Sequence, residues 1–142
     1  MPCDASAAEP VTAAPIVILV VEDSGVLRMS VAHYLRGTGY TVIESSNAQD
    51  ALGVIATGIH IALVFTDIQM PGDMDGIGLA QRLAVEQPTL PVILTSGDPN
   101  LKVSLPRDVP RCFLRKPYEL EALELLIIEF IGRPGPDDAG LL

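Results

Sequence analysis

The chain has 142 residues, which is enough for one domain with a substantial core but too few for two domains of ordinary size. Eighteen acidic residues against nine basic ones give a net charge of −9, which disfavours direct binding to nucleic acid. The longest strongly apolar run, residues 16–21, is too short to span a membrane. Two isolated cysteines, Cys3 and Cys112, indicate neither a metal site nor a disulfide framework and fit the cytoplasm.

A single domain is predicted over residues 16–132, between a flexible leader (1–15) and a flexible tail (133–142). Short apolar runs within it alternate with segments of helical spacing, which indicates an α/β fold with a parallel sheet. Strands are predicted at 16–21, 40–43, 61–66, 91–95 and 111–114. Helices are predicted at 24–36, at 76–86 and at 119–131, and another begins after Asn47, which caps it. A short fourth helix, bounded by prolines, is predicted within 97–110.

Two of these helices carry apolar stripes that should face the sheet. The stripe of the first helix comprises Leu27, Val31, Tyr34 and Leu35, and that of the last comprises Leu120, Leu123, Ile127 and Ile131. Leu125 and Ile128 fall off the second stripe and form another apolar patch. This patch is either a protein interface or extra core left open by the short fourth helix.

Chemically complementary side chains follow four of the predicted strands. They are Glu22 and Asp23 after the first, Asp67 after the third, Thr95 and Ser96 at the fourth, and Lys116 after the fifth. The carboxyl ends of parallel strands meet at one edge of a sheet, where ligands bind. Clustered carboxylates repel one another and need a cation, and oxygen ligands alone favour Mg²⁺ over Ca²⁺ at such a site. A central aspartate could then be the nucleophile that forms an acyl phosphate.

Four motifs in this order identify a family resemblance. They are ILVVEDS (18–24), VFTDIQMPGDMDG (64–76), PVILTSG (91–97) and FLRKPY (113–118). Over about residues 16–131 the sequence resembles the receiver domain of two-component response regulators. The resemblance implies a flavodoxin-like, doubly wound (βα)5 fold. This is a three-layer sandwich around a five-stranded parallel sheet of order 2-1-3-4-5.

The resemblance also implies the residues of a phosphorylation site. Asp67 would be the phosphoacceptor and a ligand of Mg²⁺. Asp23 would bind the ion directly and Glu22 through a water molecule. The main-chain carbonyl of Gln69 would be the third protein ligand. The loop after Asp67 is one residue longer than is common in the family, which puts Asp73 near the rim of the site.

Further residues would respond to the phosphoryl group. Lys116 would pair with its oxygens, and Pro117 would follow this lysine through a cis peptide bond. Ser96 matches the switch hydroxyl, while its neighbour Thr95 should point to the other side of the strand. Phe113 occupies the switch aromatic position, although a purely structural role in the core is equally compatible with it.

The resemblance therefore implies a phosphoacceptor in a two-component phosphorelay rather than an enzyme acting on other molecules. A histidine kinase or histidine phosphotransfer protein would phosphorylate Asp67, and the domain would assist its own phosphorylation and dephosphorylation. Its affinity for a downstream protein partner would then change, and Leu125 and Ile128 on the last helix could form an output or homodimer contact. A stand-alone receiver, without a membrane segment and without direct contact to nucleic acid, is expected.

Three alternatives compete with this interpretation. Phosphatases with an aspartyl nucleophile resemble D-x-D at the strand end, but here the third residue is Gln69, whose amide cannot act as acid or base. A flavin-binding fold would need a phosphate loop where Glu22 and Asp23 would repel the phosphate. A phosphorylation-independent interaction domain would not need the complete set of site residues. The two histidines, His33 and His60, lie away from the predicted site.

Overall fold

A computed structural model describes residues 14–102 and 110–134 of the chain. Five parallel strands form one sheet of order β2-β1-β3-β4-β5. The strands are β1 (Val17–Val21), β2 (Thr41–Ser45), β3 (Leu63–Asp67), β4 (Val92–Ser96) and β5 (Arg111–Arg115). The helices of the described segments are α1 (Gly25–Gly37), α2 (Ala48–Ala56), α3 (Gly76–Glu86) and α4 (Leu120–Ile131). The predicted doubly wound fold is thereby confirmed.

The sheet separates two apolar cores, because β1, β3 and β4 are buried on both faces. This double burial is why these strands are continuous apolar runs in the sequence rather than alternating ones. Helices α2 and α3 cover one face through Ala51, Leu79 and Leu83. Helices α1 and α4 cover the other face through Leu35, Leu123 and Ile127, which are fully buried.

Strand register brings the predicted site residues to one edge of the sheet. Asp67 pairs with Thr95, and Ser96 pairs with Arg115. The Lys116 amide continues the ladder by donating to the Ser96 carbonyl at 2.9 Å. The residues that end or follow β1, β3, β4 and β5 therefore share one edge, as expected for parallel strands.

Side-chain caps begin helices α1 and α2, and the cap at Asn47 was predicted. The Asn47 side chain accepts a hydrogen bond from the Asp50 amide at 2.8 Å, and Ser24 caps α1 in the same way. The prediction that Leu27 packs on the sheet is wrong, since this side chain is 44% exposed. Leu27 lies on the first turn of α1, at the carboxyl edge of the sheet, where it lines a surface groove instead of the core.

The segment predicted to hold the short fourth helix is described only in part. Residues 97–102 contain a turn, in which the Leu101 amide donates to the Asp98 carbonyl at 3.3 Å. Residues 103–109 lie outside the described residues, as do 1–13 of the predicted leader and 135–142 of the predicted tail. The extent of that helix therefore stays a prediction.

The last helix has the two faces that its sequence predicts. Leu123 and Ile127 are fully buried, whereas Leu125 is 64% exposed and is not core. Ile128 is partly buried and lines a shallow groove with Leu125 and Phe113. No helix in the described segments combines the length and apolarity needed to cross a bilayer.

The start of α3 lies directly against the backbone that follows β3. The Gly76 amide donates to the Ile68 carbonyl at 2.9 Å. A Cβ atom at Gly76 would collide with the Asp67 carbonyl oxygen and lie 2.8 Å from Ile68 Cα. Only glycine allows the start of α3 to lie this close to the backbone after β3. The close contact in turn holds the backbone that carries Asp67 in place.

We expect Gly76→Ala to lower the free energy of unfolding by about 1–3 kcal/mol, because backbone must move to admit the methyl group. Gly53→Ala is the matched control, since Gly53 lies within α2 and an added Cβ meets nothing within 4 Å. The control should raise stability by up to about 1 kcal/mol. Urea denaturation measures both, and equal effects would contradict the proposed close contact.

Candidate functional site

Three carboxyl groups gather at the carboxyl edge of the sheet. Glu22 and Asp23 follow β1, and Asp67 is the last residue of β3. One carboxylate oxygen from each lies within 4.8 Å of the other two. Glu22 and Asp67 are buried, whereas Asp23 is exposed, so the cluster opens to solvent on one side. The structure thus brings together the three acids that the sequence predicted to be neighbours.

The ammonium group of Lys116 lies between two of these acids. Its Nζ atom is 3.3 Å from Glu22 Oε1 and 3.4 Å from Asp67 Oδ2. Burial opposes the charged form of Lys116, but the charges of Asp67 and Glu22 outweigh this and raise its pKa. Lys116 is therefore protonated at neutral pH. The Lys116–Pro117 peptide bond is cis, as the family resemblance implies.

Glu22 is held in place by contacts that the sequence did not predict. Burial raises the pKa of its carboxyl group, and the hydrogen bond from the Ser24 amide to Glu22 Oε2 at 3.1 Å opposes that shift. Arg28 Nη1 donates to the Glu22 carbonyl at 2.8 Å, and Arg28 Nε pairs with Glu44 at 3.2 Å. Arg28 on α1 thereby ties the end of β1 to β2.

The donor set of this cluster fits a divalent cation. Asp67 Oδ1 is buried and has no hydrogen-bond partner among the described residues, although a buried carboxylate oxygen normally has one. The candidate ligand atoms are all carboxylate oxygens, and the single positive charge of Lys116 cannot balance three carboxylates. Hard oxygen donors and an open side that admits water suit Mg²⁺. Asp73 is exposed on the longer loop, where Gly72 takes φ +102°, and does not belong to the cluster.

Ser96 is buried beside the cluster and is fully hydrogen-bonded. Its hydroxyl donates to Gln69 Oε1 at 2.6 Å and accepts from the Asp98 amide at 3.0 Å. Thr95 is also buried, but its hydroxyl has no partner among the described residues. The sequence predicts a role as metal ligand for the Gln69 main-chain carbonyl, but it does not predict the contact of the Gln69 side chain with Ser96.

Phe113 and Ser96 lie on the same face of the sheet. Phe113 pairs with Leu94, two residues before Ser96, and packs against the core cluster that contains Leu94. The guanidinium carbon of Arg115 lies 5.2 Å from the centre of the Phe113 ring, and Arg115 Nη1 donates to the Asp98 carbonyl at 2.9 Å. Arg115 therefore connects the Phe113 ring to Asp98, whose amide donates to the Ser96 hydroxyl.

A groove of about 460 Å³ opens next to the acid cluster and was not predicted. It is mostly apolar and is lined by Leu27, Ser30, Val31, Gly97, Lys116, Pro117, Tyr118 and Leu120. The Tyr118 and Phe65 rings pack in a T-shaped arrangement, with centroids 5.8 Å apart. Burial and the nearby acids raise the pKa of Tyr118 to about 12, so its hydroxyl stays protonated. Val26 and Met29, on α1, are 81% and 63% exposed.

The sequence is similar to receiver domains and to longer signalling proteins. The sequence profile described as "Response regulator receiver domain" matches residues 18–127. The sensor kinase CckA of Brucella abortus is 32% identical over 119 residues, and the regulator DctD of Rhizobium meliloti is 33% identical over 114. These matches cover 82% and 79% of this chain but only 12% and 24% of those longer proteins.

Solved structures agree with the sequence relatives. The crystallised receiver domain of the hybrid histidine kinase CckA superposes with a TM-score of 0.69 at 29% identity. That alignment covers 81% of this chain and 98% of the crystallised domain. A response regulator receiver protein from Sinorhizobium medicae, 23% identical with a TM-score of 0.74 over 82% of this chain and 94% of that one, shares the fold. The chain belongs to the response regulator receiver domain family.

Proposed function

We propose that this domain accepts a phosphoryl group on Asp67 from a histidine kinase or a histidine phosphotransfer protein. The observation that carries the proposal is the setting of the Asp67 carboxylate. One of its oxygens faces the Lys116 ammonium at 3.4 Å, and the other is buried without a partner among the described residues. A carboxylate held in this way is available to act as a nucleophile.

Transfer would proceed by in-line displacement. An oxygen of Asp67 attacks phosphorus and forms the P–O bond, while the P–N bond to the donor imidazole breaks and its electron pair returns to nitrogen. Lys116 is placed to stabilise the negative phosphoryl oxygens. The residues that would hold Mg²⁺ are Asp23, Asp67 and the Gln69 carbonyl, with Glu22 acting through water. When bound, the ion supplies the positive charge that lets a phosphoryl group approach three acids.

Ser96 and Phe113 are the proposed switch. An aspartyl phosphate adds acceptor oxygens that the Ser96 hydroxyl can reach by moving inward, and the Phe113 ring then turns into the space that is released. The two residues share a face of the sheet, which supports this coupling. The resulting change would alter affinity for a protein partner. Leu125 and Ile128 are the proposed output or homodimer contact, since Leu125 is 64% exposed beside the Phe113 groove.

The groove beside Lys116 is the proposed contact with the phosphodonor protein. A donor histidine must approach Asp67 closely, so the donor protein has to cover the surface next to the acid cluster. The apolar lining of the groove and the exposed Val26 and Met29 on α1 offer area for such docking. We propose a cytoplasmic location for the domain, since Cys112 is a free thiol, as is usual in a reducing compartment. A phosphatase role is not favoured, because the side chain of Gln69 cannot serve as acid or base.

Asp67→Asn should abolish labelling by a small acyl phosphate in the presence of Mg²⁺, because an amide is not a nucleophile under these conditions. Intact-protein mass spectrometry should show one added phosphoryl group on the wild type and none on the variant. Asp73→Asn is the matched control, since it removes a carboxylate from the neighbouring loop and should label as the wild type does. Labelling of Asp67→Asn at the wild-type level would contradict the assignment.

Asp23→Asn should weaken Mg²⁺ binding by about tenfold or more, since it removes a charged ligand from a site that has few protein ligands. Isothermal titration calorimetry of the metal alone measures this, with Asp73→Asn again as the control. Similar Mg²⁺ affinity in Asp23→Asn and wild type would place the metal elsewhere.

Val26→Glu should slow phosphorylation by a histidine phosphotransfer protein that phosphorylates the wild type, because a charge would enter the apolar docking surface. The rate with a small acyl phosphate should be unchanged. Val85→Glu on α3 introduces the same charge at a position of equal exposure, 83% against 81%, and should affect neither rate. Equal slowing by both variants would contradict docking at α1.

A further inference from the structure

We propose that the side-chain amide of Gln69 is a latch that holds the Ser96 hydroxyl in its resting position. This inference rests on the proposed function, because it concerns the switch that a phosphoryl group on Asp67 would operate. The side chain of Gln69 is a positioning group that acts through Ser96. This role is separate from the main-chain carbonyl of the same residue, which is a proposed metal ligand.

The contact between Ser96 and Gln69 is short and buried at its Ser96 end. The Ser96 hydroxyl donates to Gln69 Oε1 at 2.6 Å, a short distance for a hydrogen bond between neutral groups. Ser96 is fully buried, so water cannot readily replace this acceptor. The Asp98 amide donates to the same hydroxyl oxygen at 3.0 Å. Two partners from two different loops thus fix the orientation of the Ser96 side chain.

The Ser96 hydroxyl can donate to only one acceptor at full strength. A serine hydroxyl has a single hydrogen to donate. In the resting structure that hydrogen is given to Gln69, so it is not available to an oxygen of a phosphoryl group on Asp67. Donation to Gln69 and donation to the phosphoryl group are therefore mutually exclusive. In the proposed switch Ser96 moves between a resting and an active position, and the acceptor on Gln69 stabilises only the resting one.

Breaking the hydrogen bond between Ser96 and Gln69 affects the two side chains differently. Gln69 is exposed, so water can satisfy its amide after Ser96 has moved. The buried Ser96 hydroxyl, by contrast, must find its new acceptor in the phosphoryl group. The latch therefore favours the resting position until that group is present. Removal of the Gln69 acceptor should shift the balance toward the active position about two- to tenfold, the usual net effect of one hydrogen bond.

Gln69→Met tests the latch, because methionine has nearly the same length but lacks the amide acceptor. Beryllofluoride with Mg²⁺ is the phosphoryl analogue, and the Asp98 amide resonance in ¹H–¹⁵N spectra reports the position of Ser96. The variant should reach half of the spectral change at about two- to tenfold lower beryllofluoride concentration than the wild type. Gln81→Met, on the exposed face of α3, is the matched control and should behave as the wild type does.

The Ser96→Ala background separates a latch from a general effect of the substitution. Without the hydroxyl, Gln69→Met should no longer alter the beryllofluoride midpoint. An equal shift in both backgrounds, or no shift in either when beryllofluoride binds the wild type, would overturn the proposal. The Asp98 amide of the resting protein, without metal or analogue, should also move in Gln69→Met, and an unmoved resonance would count against the latch. If beryllofluoride does not bind the wild type while this resting signal moves, the proposed function fails and the latch stands.

Discussion

The end of the sheet holds more negative charge than its one lysine can neutralise. Glu22 and Asp67 are buried within 3.4 Å of the Lys116 ammonium, and Asp23 adds a third carboxylate. The fold raises the pKa of Glu22, so the ionised form of Glu22 destabilises the folded state. This destabilisation is fully present above the pKa of the folded state and disappears as the pH falls below the pKa of the unfolded chain. The fold also raises the pKa of Lys116, so the protonated form of Lys116 stabilises the folded state. This stabilisation is fully present below the pKa of the unfolded chain and is lost as the pH rises through the pKa of the folded state. A divalent cation or a further positive charge would relieve this imbalance.

Much of this arrangement could be predicted from the sequence, for a physical reason. Strands buried on both faces appear as continuous apolar runs, so their ends are easy to locate. The residues at those ends must then meet at one edge, because the strands are parallel. Asp67 and Ser96 could therefore be placed together although 28 residues separate them in the chain. The choice of Ser96 over Thr95 came from the family motif, and alternation along the strand predicted only that the two side chains point to opposite faces.

Other features depend on contacts that a sequence pattern does not contain. The helical spacing of Leu27 matches a buried stripe, but spacing cannot show that the first turn of α1 extends to the edge of the sheet. The bond from Ser96 to the side chain of Gln69 depends on the path of the loop after β3. Glycine at position 76 was visible within a motif, but the backbone contact that requires it became evident only from the structure.

We propose Asp67, at the centre of this edge, as the phosphoacceptor. A crystal structure of the protein with Mg²⁺ and beryllofluoride tests it most directly. We expect the beryllium on a carboxylate oxygen of Asp67, with Lys116 contacting a fluorine atom. The Mg²⁺ ion should lie beside Asp23, and the Ser96 hydroxyl should be turned away from Gln69. Beryllofluoride bound at another residue, or Mg²⁺ bound away from Asp23 and Asp67, would contradict it.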